Sequence, residues 1–396
     1  MIPVEFLLFG ATLAGVAIFH RHTLPVALAG LLAITAYKFL CTDFRGEPGV
    51  TGLVYQLLSE WVILTNLLGL LVGFALLSRH FDLSRLPRVL PRLLPDDWKG
   101  GLVLLLLVFV LSAFLDNIAA AMIGATVARE VFRGRVHLGY LAALVAAANA
   151  GGSGSVIGDT TTTMMWLAGI SPLQVMHAYL AAAAAFLVFA VPAARQQQRF
   201  SPIQRDPDPG LELDGARLAI VVVILLGAVA ANLYANHLPA SRGSAFPFIG
   251  ATVIGLLLLL TPWRRPDWSV LPAAIKGSVF LLSLVLAASM MPVERLPEAS
   301  APSTFGLGVI SAVFDNIPLT KLALEQGGYD WGMLAYAVGF GGSMLWFGSS
   351  AGVAVANLFP EAKSVVQWLR QGWHVAVGYV VGFVALLLVL GWRPQQ

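Results

Sequence analysis

Apolar runs dominate this chain, and polar residues gather in the gaps between them. A hydrocarbon core of ~30 Å needs about 20 helical residues to cross it. Runs of that scale lie at 4–19, 24–40, 50–77, 138–166, 173–193, 217–235, 245–262, 270–292, 331–357 and 373–392. Two further apolar segments, 101–128 and 304–326, each carry an Asp-Asn pair near the middle. The pattern predicts an all-α polytopic membrane protein: about ten transmembrane helices, two re-entrant hairpins and two broken helices, in two inverted-topology repeats.

Charge supports the hairpins. Lys and Arg concentrate in cytoplasmic loops and set orientation. Loop 78–100 holds Arg79, Arg85, Arg88, Arg92 and Lys99, and loop 129–137 holds Arg129, Arg133 and Arg135. Both read as cytoplasmic, so 101–128 enters and leaves on one side. In the second half, 263–276 holds Arg264, Arg265 and Lys276, whereas 293–303 offers Arg295 beside Glu294 and Glu298. The hairpin 304–326 then opens outward, and most of the 24 Lys and Arg residues fall on one side. The expected organisation is a first repeat over 1–193, a cytoplasmic linker over 194–216 and a second repeat over 217–396. The linker contains Gln196-Gln197-Gln198 and Asp206-Pro207-Asp208-Pro209-Gly210, whose polarity and prolines read as a linker rather than a domain.

Composition narrows the class. Apolar residues make up 58% of 396 positions and charged residues 11%, against roughly a quarter charged in soluble domains. The basic residues sit in short loops, so no nucleic-acid partner is implied. Membrane lipids are the expected surroundings, and no soluble protein partner is inferred. With Cys41 as the only cysteine, neither an intrachain disulfide nor a cysteine metal site can form. The first apolar stretch carries Glu5 and lacks a basic n-region, so it reads as a retained span.

The candidate chemistry comes from a phrase that occurs twice. Ser112-Ala113-Phe114-Leu115-Asp116-Asn117-Ile118 reappears as Ser311-Ala312-Val313-Phe314-Asp315-Asn316-Ile317, identical at five of seven positions. An ionisable group at membrane depth is costly and points to function. A lone Asp there could simply cap the second hairpin helix. Duplication favours function, because Ser or Asn would cap without burying a charge. Asp116, Asn117, Asp315 and Asn316 offer hard oxygen ligands suited to a cation such as sodium.

A second matching pair is rich in glycine. Asn149-Ala150-Gly151-Gly152-Ser153-Gly154-Ser155-Val156-Ile157-Gly158-Asp159 runs into Thr160 and Thr161, and its counterpart is Gly341-Gly342-Ser343 through Gly348-Ser349-Ser350. Gly-Gly within a span should break the helix. Broken helices survive only where protein or a water-filled cavity satisfies the freed groups. A close-packing glycine seam is the bland alternative, but Asp159 and the threonines beside it favour a site. The candidate ligands are thus Asp116, Asn117, Asn149, Ser153, Asp159, Thr160, Thr161, Asp315, Asn316, Ser343, Ser349 and Ser350, with sodium at Asp116, Asn117, Asp159, Asp315 and Asn316. Ser349 stands where the first copy has Asp159, so the copies are chemically unequal. Two carboxylates close together in a dry site suit the exchange of protons for cations.

These residues resemble a family. Leu115-Asp116-Asn117, Gly158-Asp159 with its threonine run, Asp315-Asn316-Ile317-Pro318, and Gly341-Gly342-Ser343 through Ala351-Gly352 look like NhaD-type sodium/proton antiporters. Those belong to the ion-transporter superfamily, with divalent-anion/sodium symporters and arsenite permeases. The resemblance covers about 100–170 and 305–357, and more weakly Trp373 to Gly382. It implies a secondary transporter exchanging sodium, or lithium, for protons, and a homodimer working by an elevator-type cycle. It implies no enzyme activity and no cofactor, with sodium and protons as cargo. A multi-pass protein of a prokaryotic inner membrane is expected. Anion symporters carry a Ser-Asn-Thr-like phrase at the hairpin tips, so Asp-Asn favours a cation over the alternative, an organic or inorganic anion. An intramembrane aspartyl protease fits worse, since Val156 stands where its motif wants Gly.

Lys321 and Glu325, four apart, depart from the family pattern and read as an i,i+4 ion pair near the hairpin's outer end. Glu60 is unassigned. His20, His22, His80, His137, His177, His237 and His374 fall at span ends and read as interfacial.

Overall fold

The computed structural model describes residues 3–19, 22–44, 46–86, 94–204, 213–237 and 246–394, with the side chains of all of them except Ala17, Asn232, Asn236 and His237. Arg88, Arg92, His20 and the Asp-Pro run of the linker lie outside the described residues. Among those described no strand forms; Phe44 and Glu47 make an isolated bridge.

Helices α1 (Val4–Ile18), α2 (Thr23–Cys41) and α3 (Gly49–Leu83) open the chain. The first expected hairpin is α4 (Trp98–Ser112) and α5 (Asn117–Val131). The first broken helix is α6 (Leu138–Ser153) and α7 (Thr160–Leu167), followed by α8 (Pro172–Met176) and α9 (Ala178–Phe200). The second half supplies α10 (Gly215–His237), α11 (Phe248–Leu259) and α12 (Leu271–Ala288). Its hairpin is α13 (Ala301–Ser311) and α14 (Asn316–Gln326), and its broken helix is α15 (Trp331–Gly341) and α16 (Ser350–Leu358). Helices α17 (Val365–Gln371) and α18 (Trp373–Leu390) close it.

Six helical stretches are long and apolar enough to cross a membrane: Thr23–Cys41, Gly49–Leu83, Pro172–Phe200, Gly215–Ala235, Trp268–Ala288 and Trp373–Leu390. Together with shorter apolar helices, including α4 and α6, they make this a multi-pass membrane protein. Large apolar side chains such as Leu226, Leu259 and Leu388 stand exposed, as lipid rather than water requires. Boundaries shift where polarity misled. Helix α9 continues through Gln196-Gln197-Gln198 to Phe200, so the head of the expected linker is helical. Gln197 is fully buried there: its amide donates to the Arg135 carbonyl at 3.1 Å and accepts from the His137 amide at 2.7 Å. The polar run is tied down by its partners.

The first Asp-Asn segment doubles back. Val108 and Gly124 each lie eight residues from Asp116, and a Cβ on Gly124 would come within 2.3 Å of Val108 Cγ2. Only a chain reversed at Asp116 makes those positions meet. At the end of α14 the Gln326 amide donates to the Pro297 carbonyl at 2.7 Å.

The chain divides into two compact units, each drawing on both halves. One unit contains residues 1–79, 219–297 and 317–327. Within it Gly250 N donates to Asn66 Oδ1 at 3.0 Å, pinning α11 against α3, and the Gln56 amide donates to Ser289 Oγ at 3.0 Å. At its polar edge Arg79 meets Asp267 at 2.8 Å.

The other unit contains residues 80–218, 298–316 and 328–396. At its heart α6 and α15 lie side by side, and every residue of both is buried. Helices apolar on all faces have no solvent side to present and so become the centre. The hairpin α4–α5, the pair α9 and α18, and α16 pack around them.

Candidate functional site

Both central helices end at or just after their glycine pairs, and close packing requires glycine at both. A Cβ on Gly151 would lie 2.0 Å from the Phe109 carbonyl oxygen, and one on Gly341 would lie 2.1 Å from that of Gly308. Phe109 and Gly308 each stand seven residues before a tip Asp, so the two breaks meet the two hairpins at equivalent places. A further pair of contacts corresponds to within one residue. A Cβ on Gly158 would meet the Ser112 carbonyl at 2.0 Å, and one on Gly348 that of Ala312 at 2.3 Å. Only glycine permits such approach of backbone to backbone. Each chain resumes helix after a residue of nearly the same conformation, φ −143° and ψ 142° at Asp159 and φ −140° and ψ 153° at Ser349.

What these breaks hold is a continuous polar network inside one unit. Asp159 is 3% exposed. Its Oδ1 accepts from the Asn117 amide at 3.1 Å, and its Oδ2 accepts from the Thr161 hydroxyl. The Asn117 amide also donates to Asn149 Oδ1 at 3.2 Å. Asn149 in turn donates to Ser343 Oγ at 2.9 Å and Ser349 Oγ at 3.0 Å. One amide side chain therefore joins the first break to the second. Asp315, at the other tip, accepts from Ser350 at 3.4 Å, one residue beyond Ser349.

Most of the residues expected to form a site are thus brought together, and their roles differ. Asp116 is half-buried, and one of its oxygens caps α5 by accepting from Ile118 N at 2.8 Å. It lies within electrostatic reach of Asp159. The capping reading is correct as local structure. Asn316 is buried at the head of α14. Ser153 does not join the network: its hydroxyl turns back to the Ala150 carbonyl at 2.8 Å. Thr160 opens α7, half-buried. Thr162 and Thr163 brace the break by donating to the Asp159 carbonyl, each at 2.9 Å.

Two contributors escaped the sequence reading. Gly339 occupies, in α15, the place that Asn149 has in α6; a Cβ there would lie 3.5 Å from Asp159 Oδ2. Alignment of the glycine pairs could have revealed that substitution. Trp368 on α17 donates its indole N–H to the Ser343 carbonyl at 3.3 Å, and nothing in the sequence marks it. The second copy lacks both the carboxylate and the amide of the first. Oxygen donors of carboxylate, amide and hydroxyl type suit a small hard cation. Among the described residues no three His, Cys, Asp or Glu side chains come together.

No family model matches the chain. Whole-chain comparison is more telling. Sodium/proton antiporter 1 of Arabidopsis thaliana is 28% identical over 438 residues, covering 97% of this chain and 72% of that protein. The Na(+)/H(+) antiporter NhaD of Alkalimonas amylolytica is 28% identical over 330 residues, covering 70% and 67% of the two chains. The Na(+)/H(+) antiporter NhaD of Vibrio cholerae is 26% identical over 328 residues, covering 72% and 69%. Along most of its length, then, this chain is related to the NhaD-type sodium/proton antiporters, which are transporters and not enzymes.

Proposed function

We propose that this chain exchanges sodium for protons across a membrane, with Asp159 and Asp116 as the charge-bearing pair. The observation that carries the proposal is the buried run from Asp159 through Asn117 and Asn149 to Ser343 and Ser349. A buried carboxylate needs a counter-charge or a proton. Sodium and a proton compete for the same oxygens, so each enters as the other leaves. Asn117, Asn149, Thr161 and Ser349 supply neutral oxygens once their amides and hydroxyls rotate. Asp315, Asn316, Ser343 and Ser350 complete the ligand set from the second repeat; Thr160 and Ser153, whose hydroxyl bonds its own helix, stand beside it. Lithium fits the same donors.

In this reading 1–193 and 217–396 are inverted-topology repeats, and 194–216 is a cytoplasmic linker. The matched glycine contacts at Gly151 and Gly341 support that duplication. Alternating access is elevator-type in a homodimer, by likeness to the family, and the setting is a prokaryotic inner membrane. The NhaD names of several relatives support the exchange reaction.

Purified protein in liposomes with a preset pH gradient tests the proposal. Sodium or lithium chloride, with no organic anion present, should drive proton movement, and choline chloride should not. Proton movement that needed a carboxylate or oxyanion would instead identify an anion transporter.

A further inference from the structure

Lys321 meets Glu60 at 2.9 Å and Glu325 at 2.6 Å, a buried charged cluster within the first compact unit. In the unit that holds the network, one hydroxyl outside the ligand set ties together the two segments that carry the carboxylate pair. Ser155 lies in the first break, four residues before Asp159. Its Oγ donates at 2.6 Å to the carbonyl of Ala113, which stands three residues before Asp116 at the tip of the first hairpin. All of these residues belong to that one unit.

Both ends of this clasp are held. Ser155 Oγ accepts from Ile157 N at 3.3 Å, and the Ser155 carbonyl accepts from Gly158 N at 3.3 Å and from the Thr162 hydroxyl. Ser155 is therefore bonded to the chain on both sides of Asp159. On the hairpin side, Ala113 N donates to the Val110 carbonyl at 3.1 Å, and Leu115 N, beside Asp116, donates to that of Leu111 at 2.8 Å. The Tyr179 ring of α9 closes over the neighbouring Gly154, where a Cβ would lie 2.5 Å from it.

The second repeat separates the hydroxyl from the turn it sits in. Counted from the glycine pair, Leu345 stands where the first repeat has Ser155. Gly348 N donates to the Leu345 carbonyl at 3.2 Å, the same bond that Gly158 N makes to the Ser155 carbonyl. The turn of the break thus forms with or without the hydroxyl. The copy that has the hydroxyl is the copy with a carboxylate, Asp159, and the copy with Leu345 has Ser349 in that place.

We propose that Ser155 is a positioning residue for the carboxylate pair: its bond to Ala113 fixes the separation of Asp116 and Asp159, and so how well the two share a sodium ion. This rests on the reading of that pair as the exchange site. The test measures the sodium concentration for half-maximal exchange in liposomes, together with the maximal rate per molecule. A merely structural role would lower abundance and melting temperature and leave the half-maximal concentration in place, since that quantity does not depend on the amount of protein. Ser155→Ala should raise it about three- to tenfold, the scale set by losing one neutral hydrogen bond, with the maximal rate per molecule kept. Ser155→Thr retains the hydroxyl and should restore the wild-type value. An unmoved half-maximal concentration in Ser155→Ala, at any abundance, would overturn the proposal, and so would a Ser155→Thr variant as impaired as Ser155→Ala. Asp159→Asn separates the two ideas. If it leaves sodium dependence unchanged, the pair is not the exchange site. If it is inert while Ser155→Ala keeps wild-type sodium dependence, only the positioning role fails.

Discussion

Asn117 donates its side-chain amide to the carboxylate of Asp159 at 3.1 Å, reaching from a hairpin tip to a broken helix 42 positions along the chain. That bond joins the two elements, and in the proposed exchange it is the point at which cargo competes. Losing a hydrogen bond to a charged group costs about 1.5–3 kcal/mol, or roughly one to two orders of magnitude in affinity. Asn117→Ala should therefore raise the sodium requirement of exchange at least tenfold, with normal protein levels. Unchanged sodium dependence at equal abundance would remove Asn117 from the site.

Close backbone contact at the breaks makes a second prediction. Gly151→Ala and Gly341→Ala each place a methyl group against a carbonyl oxygen of the matching hairpin. Overpacking of this kind costs about 1–3 kcal/mol, so both variants should melt several degrees lower in detergent. Gly255→Ala meets nothing within 4 Å and serves as the control. Equal melting of all three would contradict the described approach of hairpin and break.

Much of this arrangement was legible in the sequence, because the same physics acts twice. A repeated Asp-Asn inside apolar sequence and a repeated Gly-Gly-Ser must each have local causes, and both causes are present in the fold. Long-range partners were not legible. Glu60 and Lys321 are 261 residues apart, and no local pattern links a carboxylate on α3 to an ammonium on α14. Polarity also misled at Gln196-Gln197-Gln198, since a buried glutamine with backbone partners reads in sequence like a loop. Ser153 looked like a ligand by its place beside Gly-Gly, yet its hydroxyl serves its own helix.

Orientation gives a third prediction. Lys99, in the first turn of α4, and Arg133, after α5, stand at the two ends of the first hairpin and are exposed. In a Cys41→Ser background, single cysteines at both positions should resist impermeant thiol reagents applied outside whole cells. They should react from the inner face. Labelling of one and not the other from outside would mean that 98–131 crosses the bilayer.

The unequal copies make a fourth prediction. Ser349 accepts from Asn149 at 3.0 Å and from Gly352 N at 3.2 Å, so it orients the network without carrying charge. Ser349→Ala should weaken apparent sodium affinity severalfold and keep exchange. A neutral hydrogen bond is worth about 0.5–1.5 kcal/mol. Complete loss of exchange with intact protein would mean that the second break is as essential as the first.

The central claim is that the buried Asp159 carboxylate, with Asp116, exchanges sodium for a proton. Sodium-induced dissipation of a respiratory pH gradient in everted membrane vesicles tests it most directly, using wild type, Asp159→Asn and Asp116→Asn at matched abundance. Wild type should collapse the gradient on addition of sodium chloride and not of choline chloride, and both variants should be inert. A sodium response of wild-type size in the Asp159→Asn vesicles would contradict the account.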